Sequence, residues 1–435
     1  MLTLVPTDLW AYTRSDGHSV AGIPIDFLLF AMTLIGVALF HNRVLHVALS
    51  GLTVILLYNF LVTGFKHGSG MGGLVAHFGH EWVILTNLFC LLVGFALLAD
   101  QFERSHVPQL IPKVLSRGWV GNFVLLILVF ILSGFLDNIA AAIIGGTVAM
   151  SIFNKRVHIG YVAAIVAASN AGGSGSVVGD TTTTMMWIAG VNPLDVLHAY
   201  IAAVVALVVF GIPASVQQAK HAEIVSADSA TLHVDKARLA IVFIILVSAI
   251  VTNVTVNLRF NHLADHFPFI GVAVWVALIA TSFWRAPDWK LIPGTAAGSL
   301  FLLALVTCAS LMPVEKLPLA SWESALVLGF VSAIFDNIPL TALAIKQGGY
   351  DWGMLAYTVG FGGSMIWFGS SAGVAISNIV HEAKSVGAWL KNGWHVVLGY
   401  VVGFAVLLAV YGWQPTPIGN SASTAAPTAS HSGTR

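Results

Sequence analysis

The sequence contains very little charge for its length. Of its 435 residues only 9% are Asp, Glu, Lys or Arg, whereas 57% are hydrophobic, and the mean hydropathy is +0.87. Soluble domains carry about 25% charged residues. Apolar runs of about 17 to 25 residues, long enough to cross a hydrocarbon core, recur from Ile23 to Trp413. The composition excludes a soluble two-domain enzyme and predicts an all-α integral membrane protein.

An excess of one charge, a disulfide framework and a cleavable leader are also lacking. The formal net charge is zero, so nothing predicts nucleic acid or anionic lipid as a partner. Cys90 and Cys308 both lie in apolar runs, where a free thiol usually behaves as a small apolar residue. Residues 1–22 show no basic region followed by an apolar stretch and a cleavage site, so no removable signal peptide is expected.

Apolar runs between polar breaks predict about ten transmembrane helices. The predicted spans are 23–40, 44–64, 82–99, 157–189, 196–213, 239–257, 268–284, 292–311, 351–380 and 393–413. Two further apolar stretches, 119–152 and 322–347, carry an Asp-Asn pair near the middle. The arms beside each pair are about 10 to 18 residues long, which favours re-entrant hairpins over spanning helices.

The basic residues give these segments an orientation. If Arg43 is cytoplasmic and each hairpin enters and leaves on one side, most of the 19 basic residues face the cytoplasm, as the positive-inside rule requires. The first half, 23–213, then begins outside and the second half, 239–413, begins inside, so the two halves are inverted. The remaining parts are an N-terminal segment (1–22), a polar cytoplasmic linker (214–238) and a tail predicted to be disordered (414–435).

Two motifs recur in the two halves in the same order. SGFLDNI at 133–139 matches SAIFDNI at 332–338, and Gly172-Gly173-Ser174 with Gly179 matches Gly362-Gly363-Ser364 with Gly369. Glycine and hydroxyl residues in mid-span break helices, and broken helices persist in a bilayer only where they line a cavity or pack in protein. Such breaks in inverted halves indicate a transporter's binding site at the membrane midplane. The alternative is that the small residues only allow close helix packing.

Three acidic residues, Asp137, Asp180 and Asp336, lie deep within apolar sequence, whereas the other acidic residues fall in loops or at span ends. A charge at the bilayer centre costs at least about 2.5–3.5 kcal/mol, and no Lys or Arg lies at comparable depth. The partner is then a proton, a bound cation, or hydrogen bonds from helix ends and hydroxyls. A desolvated carboxylate takes up a proton unless a cation holds it in the charged form. Proton and sodium would therefore compete for one site.

The hairpin tips are predicted to hold a cation such as Na⁺. Asp137 and Asp336 would coordinate it directly, with the amide oxygens of Asn138 and Asn337 as further hard ligands. The other candidate site residues are Ser133, Gly172, Gly173, Ser174, Ser176, Thr181, Thr182, Ser332, Gly362, Gly363, Ser364, Ser370 and Ser371. For any single hydroxyl the alternative is a bond back to its own helix.

Asp180 is the best candidate for the proton-coupling group, a role that Asp137 and Asp336 would share. It directly follows the first glycine break, whereas Ser370 stands at the matching place in the second half. This asymmetry sets Asp180 apart from the duplicated tip carboxylates.

Two groups of side chains are set aside. The histidines between 67 and 80 match no metal-binding spacing well and are predicted to be loop or pH-sensing surface residues. They are His67, His77 and His80. Five tryptophans fit an aromatic belt at the membrane interfaces. They are Trp10, Trp82, Trp284, Trp394 and Trp413.

These motifs resemble the ion transporter superfamily, which includes divalent-anion/sodium symporters, arsenite permeases, citrate transporters and NhaD-type sodium/proton antiporters. The resemblance covers most of the chain and is closest to the NhaD-type branch. The segments that look like its signatures are NAGG at 170–173, GDTTT at 179–183, DNIP at 336–339 and GGS at 362–364. Val177 and Val178 stand where the antiporter pattern has a proline.

The resemblance implies a homodimer in the lipid bilayer of the bacterial cytoplasmic (inner) membrane, with a multi-pass topology. It also implies a scaffold domain and a mobile transport domain, which holds the hairpins and broken helices and moves as an elevator. Dicarboxylate symporters have tips that look like Ser-Asn-Thr, whereas this chain has Asp-Asn-Ile twice. An acidic tip disfavours a polyanionic substrate and favours a cation.

We therefore predict a sodium/proton antiporter, not an enzyme, that moves the small inorganic ions Na⁺ (or Li⁺) and H⁺ and needs no cofactor. One alternative is transport of citrate or another organic anion or oxyanion, coupled to Na⁺ or H⁺ and recognised by hydroxyls, amides and helix N-termini. A remote alternative is an intramembrane aspartyl protease, suggested by Gly179-Asp180. Val177 stands where such enzymes carry a further glycine.

Overall fold

The computed structural model describes residues 18–40, 43–66, 68–224, 233–264 and 266–418, and within these ranges the chain is predominantly α-helical. A short hairpin pairs β1 (Ser19–Val20) with β2 (Ile23–Pro24) in antiparallel fashion. The helices of the first half are α1 (Ile25–Leu39), α2 (Val44–Tyr58), α3 (Gly70–Glu103), α4 (Ile111–Val114), α5 (Trp119–Ser133), α6 (Asn138–Ile152), α7 (Ile159–Gly173), α8 (Thr181–Ile188) and α9 (Ala199–His221). A π-helical turn, Asn59–Thr63, extends α2.

The second half contains ten described helices. They are α10 (Lys236–Arg259), α11 (Asn261–Ala264), α12 (Phe269–Ser282), α13 (Ile292–Ser310), α14 (Trp322–Ser332), α15 (Asn337–Gln347), α16 (Trp352–Gly362), α17 (Ser371–Ile379), α18 (Val386–Asn392) and α19 (Trp394–Tyr411). The predicted all-α membrane class is confirmed at this level.

Six helical stretches of the described ranges are long and apolar enough to cross a membrane. They are Val44–Thr63, Gly70–Glu103, Pro193–His221, Lys236–Val256, Trp289–Ser310 and Trp394–Tyr411. Six further apolar helices are shorter: Ile25–Leu39, Trp119–Ser133, Asn138–Ile152, Ile159–Gly173, Phe269–Ser282 and Trp322–Ser332. Four of these short helices, α5, α6, α7 and α14, are arms of the predicted hairpins and of the first predicted broken helix, whereas α1 and α12 lie in the predicted spans 23–40 and 268–284.

Helix α3 begins well before the predicted span 82–99, and this corrects the prediction of a histidine loop. His77 is buried in α3, with its Nε2 3.1 Å from the Ser310 Oγ on α13. His80 lies on the exposed side of α3, and His67 falls outside the described residues. The several glycines lower the helix propensity of this stretch, but packing of α3 against α13 overrides that weak local preference.

The same early start places Glu81 inside α3 rather than at a span end, as the sequence had suggested. Glu81 is buried and forms an ion pair with Lys346 in the last turn of α15. Residues that follow the first glycines of α3 are therefore part of a long helix that reaches the second predicted hairpin.

The stretch between α9 and α10 is shorter than the predicted linker 214–238. Helix α9 continues to His221 and α10 begins at Lys236, so most of the intervening stretch, including Asp228, lies outside the described residues. Asp235 caps α10, and a hydrogen bond from the Arg285 guanidinium holds the pKa of that carboxyl below its usual range. This contact ties the start of α10 to the segment that follows α12.

Three of the tryptophans predicted for an aromatic belt have large exposed surfaces. Trp82, Trp284 and Trp394 are each more than a third exposed on the outside of the helices. Trp413 is half-buried against Tyr350, and Trp10 lies outside the described residues.

The segments that carry the duplicated motifs form the centre of the molecule. Helices α5 and α6 are joined by a short turn that ends at Asp137, and α14 and α15 by a similar turn that ends at Asp336. Helix α6 packs on α17, and α15 packs on α8. Every residue from Gly160 to Gly173 in α7 and every residue of α16 is buried. The polar groups of these helices must therefore find partners inside the protein.

Two glycines of the duplicated motif allow backbones to touch, and they give a first prediction. A Cβ at Gly172 would lie 2.0 Å from the Phe130 carbonyl oxygen, and one at Gly362 would lie 2.2 Å from the Gly329 carbonyl oxygen. Because these obstacles are backbone, Gly172→Ala and Gly362→Ala should each destabilise the protein by about 1–3 kcal/mol or more. Thermal unfolding in detergent measures this.

Gly79→Ala is the matched control for these two variants. Gly79 lies within α3, and no other atom lies within 4 Å of a Cβ placed there. Alanine is a better helix former than glycine by about 1 kcal/mol, so this variant should unfold at the same temperature or higher. Equal melting temperatures for all three variants would contradict the close backbone approach.

Candidate functional site

Three buried or half-buried carboxylates lie where the two hairpin-like turns meet the two interrupted helices. Asp137 caps α6 by accepting a hydrogen bond from the Ile139 N–H at 3.2 Å. Asp336 caps α15 in the same way through the Ile338 N–H at 3.0 Å. Asp180 caps α8, the second arm of the first interrupted helix. Each carboxylate thus faces the positive end of a short helix, which favours its charged form.

The first turn is bonded to the first interrupted helix through Asn138. The Asn138 Nδ2 donates to the Asn170 Oδ1 at 3.0 Å and to the Asp180 Oδ1 at 3.3 Å. The Asn138 amide therefore links the tip of the turn to two residues on either side of the glycine break.

The second turn is bonded to the second interrupted helix through hydroxyls. The Ser371 Oγ donates to the Asp336 Oδ2 at 3.1 Å. The Ser332 Oγ donates to the Val359 carbonyl at 2.7 Å, and the Ser133 Oγ lies 3.5 Å from the Gly179 carbonyl in the first half. Serines at corresponding places thus hold each turn against the broken helix of its own half.

Several candidate hydroxyls bond backbone groups. The Ser174 Oγ donates to the Ala171 carbonyl at 2.8 Å, within the same helix end, which is the simple alternative raised for such residues. The Ser176 Oγ donates to the Gly134 carbonyl at 2.7 Å and accepts from the Gly179 N–H. Ser176 therefore joins the glycine break to the first turn and has little capacity left for an ion.

Asn170 is a central residue that the list of candidates omitted. Its Nδ2 donates to the Ser364 Oγ at 2.9 Å and to the Ser370 Oγ at 3.1 Å, while its Oδ1 accepts from Asn138. It is completely buried, and it joins the first interrupted helix to the second. The signal available in the sequence was its place directly before the glycine motif.

Asp180 is the most enclosed of the three carboxylates. Its side chain is 1% exposed, and its Oδ1 accepts hydrogen bonds from the Thr182 N–H and from Asn138. The Asp180 Oδ2 and the Thr182 Oγ1 make no hydrogen bond of ordinary length and angle with any described residue. The two side chains interact with each other at longer range, and burial without a hydrogen bond of ordinary geometry is costly, so a ligand or a proton that bonded both oxygens would stabilise them.

A cavity of about 530 Å³ leads to the tip carboxylate Asp137. Its inner end is lined by Asp137, Thr181 and Ser371, and its other end by Asp100 and Glu103 at the end of α3. Its walls are mainly apolar side chains of α3, α6 and α13, and no Lys or Arg is among the described residues that line it. By the orientation predicted from the basic residues, the Glu103 end faces the cytoplasm.

The remaining candidates lie beside these groups. The Gly363 Cβ position is blocked by the Gly369 carbonyl at 2.6 Å, as that of Gly173 is blocked by the Gly179 carbonyl at 2.5 Å. The Asn337 side chain is buried next to Asp336, and the backbone carbonyl of Asn337 accepts a hydrogen bond from the Thr341 Oγ1. The predicted residues thus gather around both turns and both breaks.

The chain is similar to proteins named as sodium/proton antiporters. It is 29% identical over 360 residues to Sodium/proton antiporter 1 of Arabidopsis thaliana, covering 73% of this chain and 58% of that protein, less than two thirds of its length. It is 25% identical to Sodium/proton antiporter 2 of the same plant, covering 73% and 80%. It is 24% identical to the Na(+)/H(+) antiporter NhaD of Vibrio cholerae, covering 74% and 77%. The resemblance to NhaD-type antiporters is confirmed. No protein-family model matches the chain.

The relatives of the NhaD type are named as transporters, which agrees with a membrane protein that handles ions rather than an enzyme. The NhaD-like segments at 170–173 and 179–183 contain Asn170 and Asp180, which the Asn138 amide joins through hydrogen bonds. The segments that carry the resemblance are therefore also those that build the carboxylate cluster.

Proposed function

We propose that this chain exchanges Na⁺ or Li⁺ for H⁺ across the membrane. The observation that carries the proposal is the meeting of Asp137, Asp180 and Asp336 with the two helix breaks, beside a cavity that reaches Asp137 and that no described Lys or Arg lines. The helix N-termini and hydrogen bonds stabilise the charged forms of these groups only in part, and without a fixed positive charge a proton or a mobile cation would balance the rest. Exchange follows if the two compete.

Asp137 is the group that meets ions arriving through the cavity. It lines the inner end. Glu103 lines the other end and adds negative charge that attracts cations, whereas the charge of Asp100 there is paired with Arg104. Arrival of Na⁺ at Asp137 favours its charged form and releases a proton. The return of a proton neutralises the carboxylate and lets the cation leave.

The hairpins, the inverted repeat and the homodimer belong to the same proposal. Helices α5 and α6 have 15 residues each and α14 and α15 have 11, so they reach only about 16–22 Å, less than a hydrocarbon core of roughly 30 Å. Lengths of this kind support re-entrant hairpins. The hairpins and interrupted helices would move together as one transport domain against a scaffold that contains α3 and α13.

The test uses purified protein in proteoliposomes with an internal pH dye under an imposed proton gradient. Na⁺ or Li⁺ added outside should change the internal pH in the wild type, whereas K⁺ and citrate should not. In Asp137→Asn and Asp336→Asn the response should fall to that of empty liposomes, because a neutral amide cannot exchange a proton for a cation. Asp195→Asn, which alters a carboxylate outside the site, is the matched control.

Two outcomes would contradict this function. Full Na⁺-driven exchange in Asp137→Asn or Asp336→Asn would exclude the tip carboxylates as the exchange groups. A response to citrate alone, retained without Na⁺, would instead support the organic-anion alternative, with the acidic tips serving to couple protons.

A further inference from the structure

The two halves place different residues at corresponding positions beside the glycine breaks. Asn170 precedes the first Gly-Gly-Ser motif at the place where Gly360 precedes the second. Asp180 follows the glycine after the first break at the place where Ser370 follows the second. A large polar residue in one half is thus matched by a small residue in the other, at both positions.

The four residues meet in two pairs across the centre of the molecule: Asn170 faces Ser370, and Gly360 faces Asp180. The Asn170 Nδ2 donates to the Ser370 Oγ at 3.1 Å. Gly360 faces Asp180, since a Cβ at Gly360 would lie 2.8 Å from the Asp180 Oδ2. Both larger residues, Asn170 and Asp180, therefore belong to the first half, and each meets a smaller residue of the second half. Positions 170 and 360 correspond in the two halves. The Asn170 side chain fills the space beside Ser370, whereas Gly360 leaves the corresponding space beside Asp180 without a side chain.

The space at Gly360 is bordered by oxygens that need a partner. A Cβ there would lie 3.6 Å from the Thr182 Oγ1, and its third neighbour is the Ser174 Cβ at 3.9 Å. The Asp180 Oδ2 and Thr182 Oγ1 are among the buried oxygens that make no hydrogen bond of ordinary length and angle with described residues, and the two side chains interact with each other. Hard cations bind oxygen ligands at about 2.3–2.6 Å in the case of Ca²⁺, whose radius resembles that of Na⁺.

We propose that the Asp180 Oδ2, the Thr182 Oγ1 and the space at Gly360 form an inner binding site for a dehydrated monovalent cation, and that Gly360 sets the size of the cation it accepts. The proposal rests on the cation exchange proposed above and adds to it a second cation-binding site, besides the one at Asp137. Asp137 lines the cavity, whereas Asp180 lies behind it, joined to the tip by the Asn138 amide. Because Asn170 fills the equivalent space, the second half has no counterpart of this site.

The first experiment compares wild type with Gly360→Ala. Added methyl volume in this rigid centre should raise the half-saturating Na⁺ concentration for exchange by roughly tenfold, from the cost of overpacking by one methyl group. The smaller Li⁺ should be affected less, so the preference for Li⁺ over Na⁺ should rise. Stabilisation of the purified protein by Na⁺ in thermal unfolding should fall in parallel. Gly79→Ala, at an open place on α3, should change none of these quantities.

A second pair of variants tests the site if Gly360→Ala does not fold. Thr182→Val keeps the shape of the side chain but removes the Oγ1, so it should weaken Na⁺-induced stabilisation. Thr182→Ser keeps the hydroxyl and should restore it. Equal Na⁺ and Li⁺ dependence in wild type and Gly360→Ala, or Na⁺ stabilisation of Thr182→Val equal to wild type, would overturn the inner site. Loss of Na⁺-driven exchange in the wild type would instead overturn the proposed function.

Discussion

Asn170→Ala is expected to lower the melting temperature sharply and to abolish cation exchange. The Asn170 side chain accepts from Asn138 and donates to Ser364 and Ser370, all within a fully buried region. Alanine removes three buried hydrogen bonds, although the Asn138 Nδ2 still donates to Asp180 and the Ser370 Oγ still accepts from the Gly373 N–H. The Ser364 Oγ loses its partner, which costs about 1–3 kcal/mol, and the two other lost bonds add about 0.5–1.5 kcal/mol each. A loss of this size is a large share of the stability of an ordinary domain.

The loss of exchange has a separate physical reason. Asn138 holds the Asp180 Oδ1 while it is itself fixed by Asn170, so removing Asn170 releases the contact between the tip and the enclosed carboxylate. The same residue bonds Ser370 at the cap of α17 and so joins the two interrupted helices. Exchange should therefore be lost even at a temperature where the variant remains folded.

Ser169→Ala is the matched control for Asn170→Ala. Ser169 is its neighbour in α7, is equally buried, and donates only to the Val166 carbonyl of its own helix at 2.9 Å. Its removal should cost far less and should leave exchange close to wild type. Thermal unfolding in detergent and the proteoliposome assay measure both effects. If Asn170→Ala and Ser169→Ala behave alike, the bridge between the two helices has no special role.

The positions of the helix breaks were predictable because their cause is local. Glycines at 172–173 and 362–363 stand where backbones touch, and the carboxylate or hydroxyl after each break caps the next helix. Close approach and capping both depend on residue types that a sequence displays directly. The end of α7 and the beginning of α8 followed from these signals.

The partners of Asn170 and Gly360 were not predictable, because they depend on packing between distant parts of the chain. Asn170 lies in an apolar helical run, and only the fold brings Ser364 and Ser370 to it. Gly360 resembles any other small residue in a buried helix until Asp180 is found opposite. The early start of α3 was missed for a similar reason, since α13 supports a glycine-rich turn that would not be helical alone.

Breaking the ion pair between Glu81 and Lys346 is the second change with a large expected effect. The Glu81 side chain is 4% exposed and that of Lys346 is 26% exposed. Removing one member of a buried pair leaves an unpaired charge and costs about 3–5 kcal/mol, whereas replacing both by apolar residues is often neutral. Glu81→Met and Lys346→Met should thus each destabilise the protein strongly, and the double variant should recover most of the loss.

The surface pair of Arg104 and Asp100 provides the comparison for these single and double variants. The Arg104 side chain is 42% exposed, and pairs of this kind contribute less than about 1 kcal/mol, so Arg104→Met should change the melting temperature little. If the double variant of Glu81 and Lys346 is as unstable as the single ones, packing rather than charge explains the loss. If Lys346→Met is as stable as wild type, the pair contributes nothing.

The position of this pair connects stability with the proposed movement. Lys346 lies in the last turn of α15, whose first residue follows the tip carboxylate Asp336, while Glu81 lies on α3. If α15 moves with the transport domain and α3 stays with the scaffold, each transport cycle must separate the two charges. The double variant should then be stable yet alter the exchange rate at saturating Na⁺, with the half-saturating Na⁺ concentration unchanged, because neither residue contacts the ion. An unchanged rate would show that α3 and α15 move together.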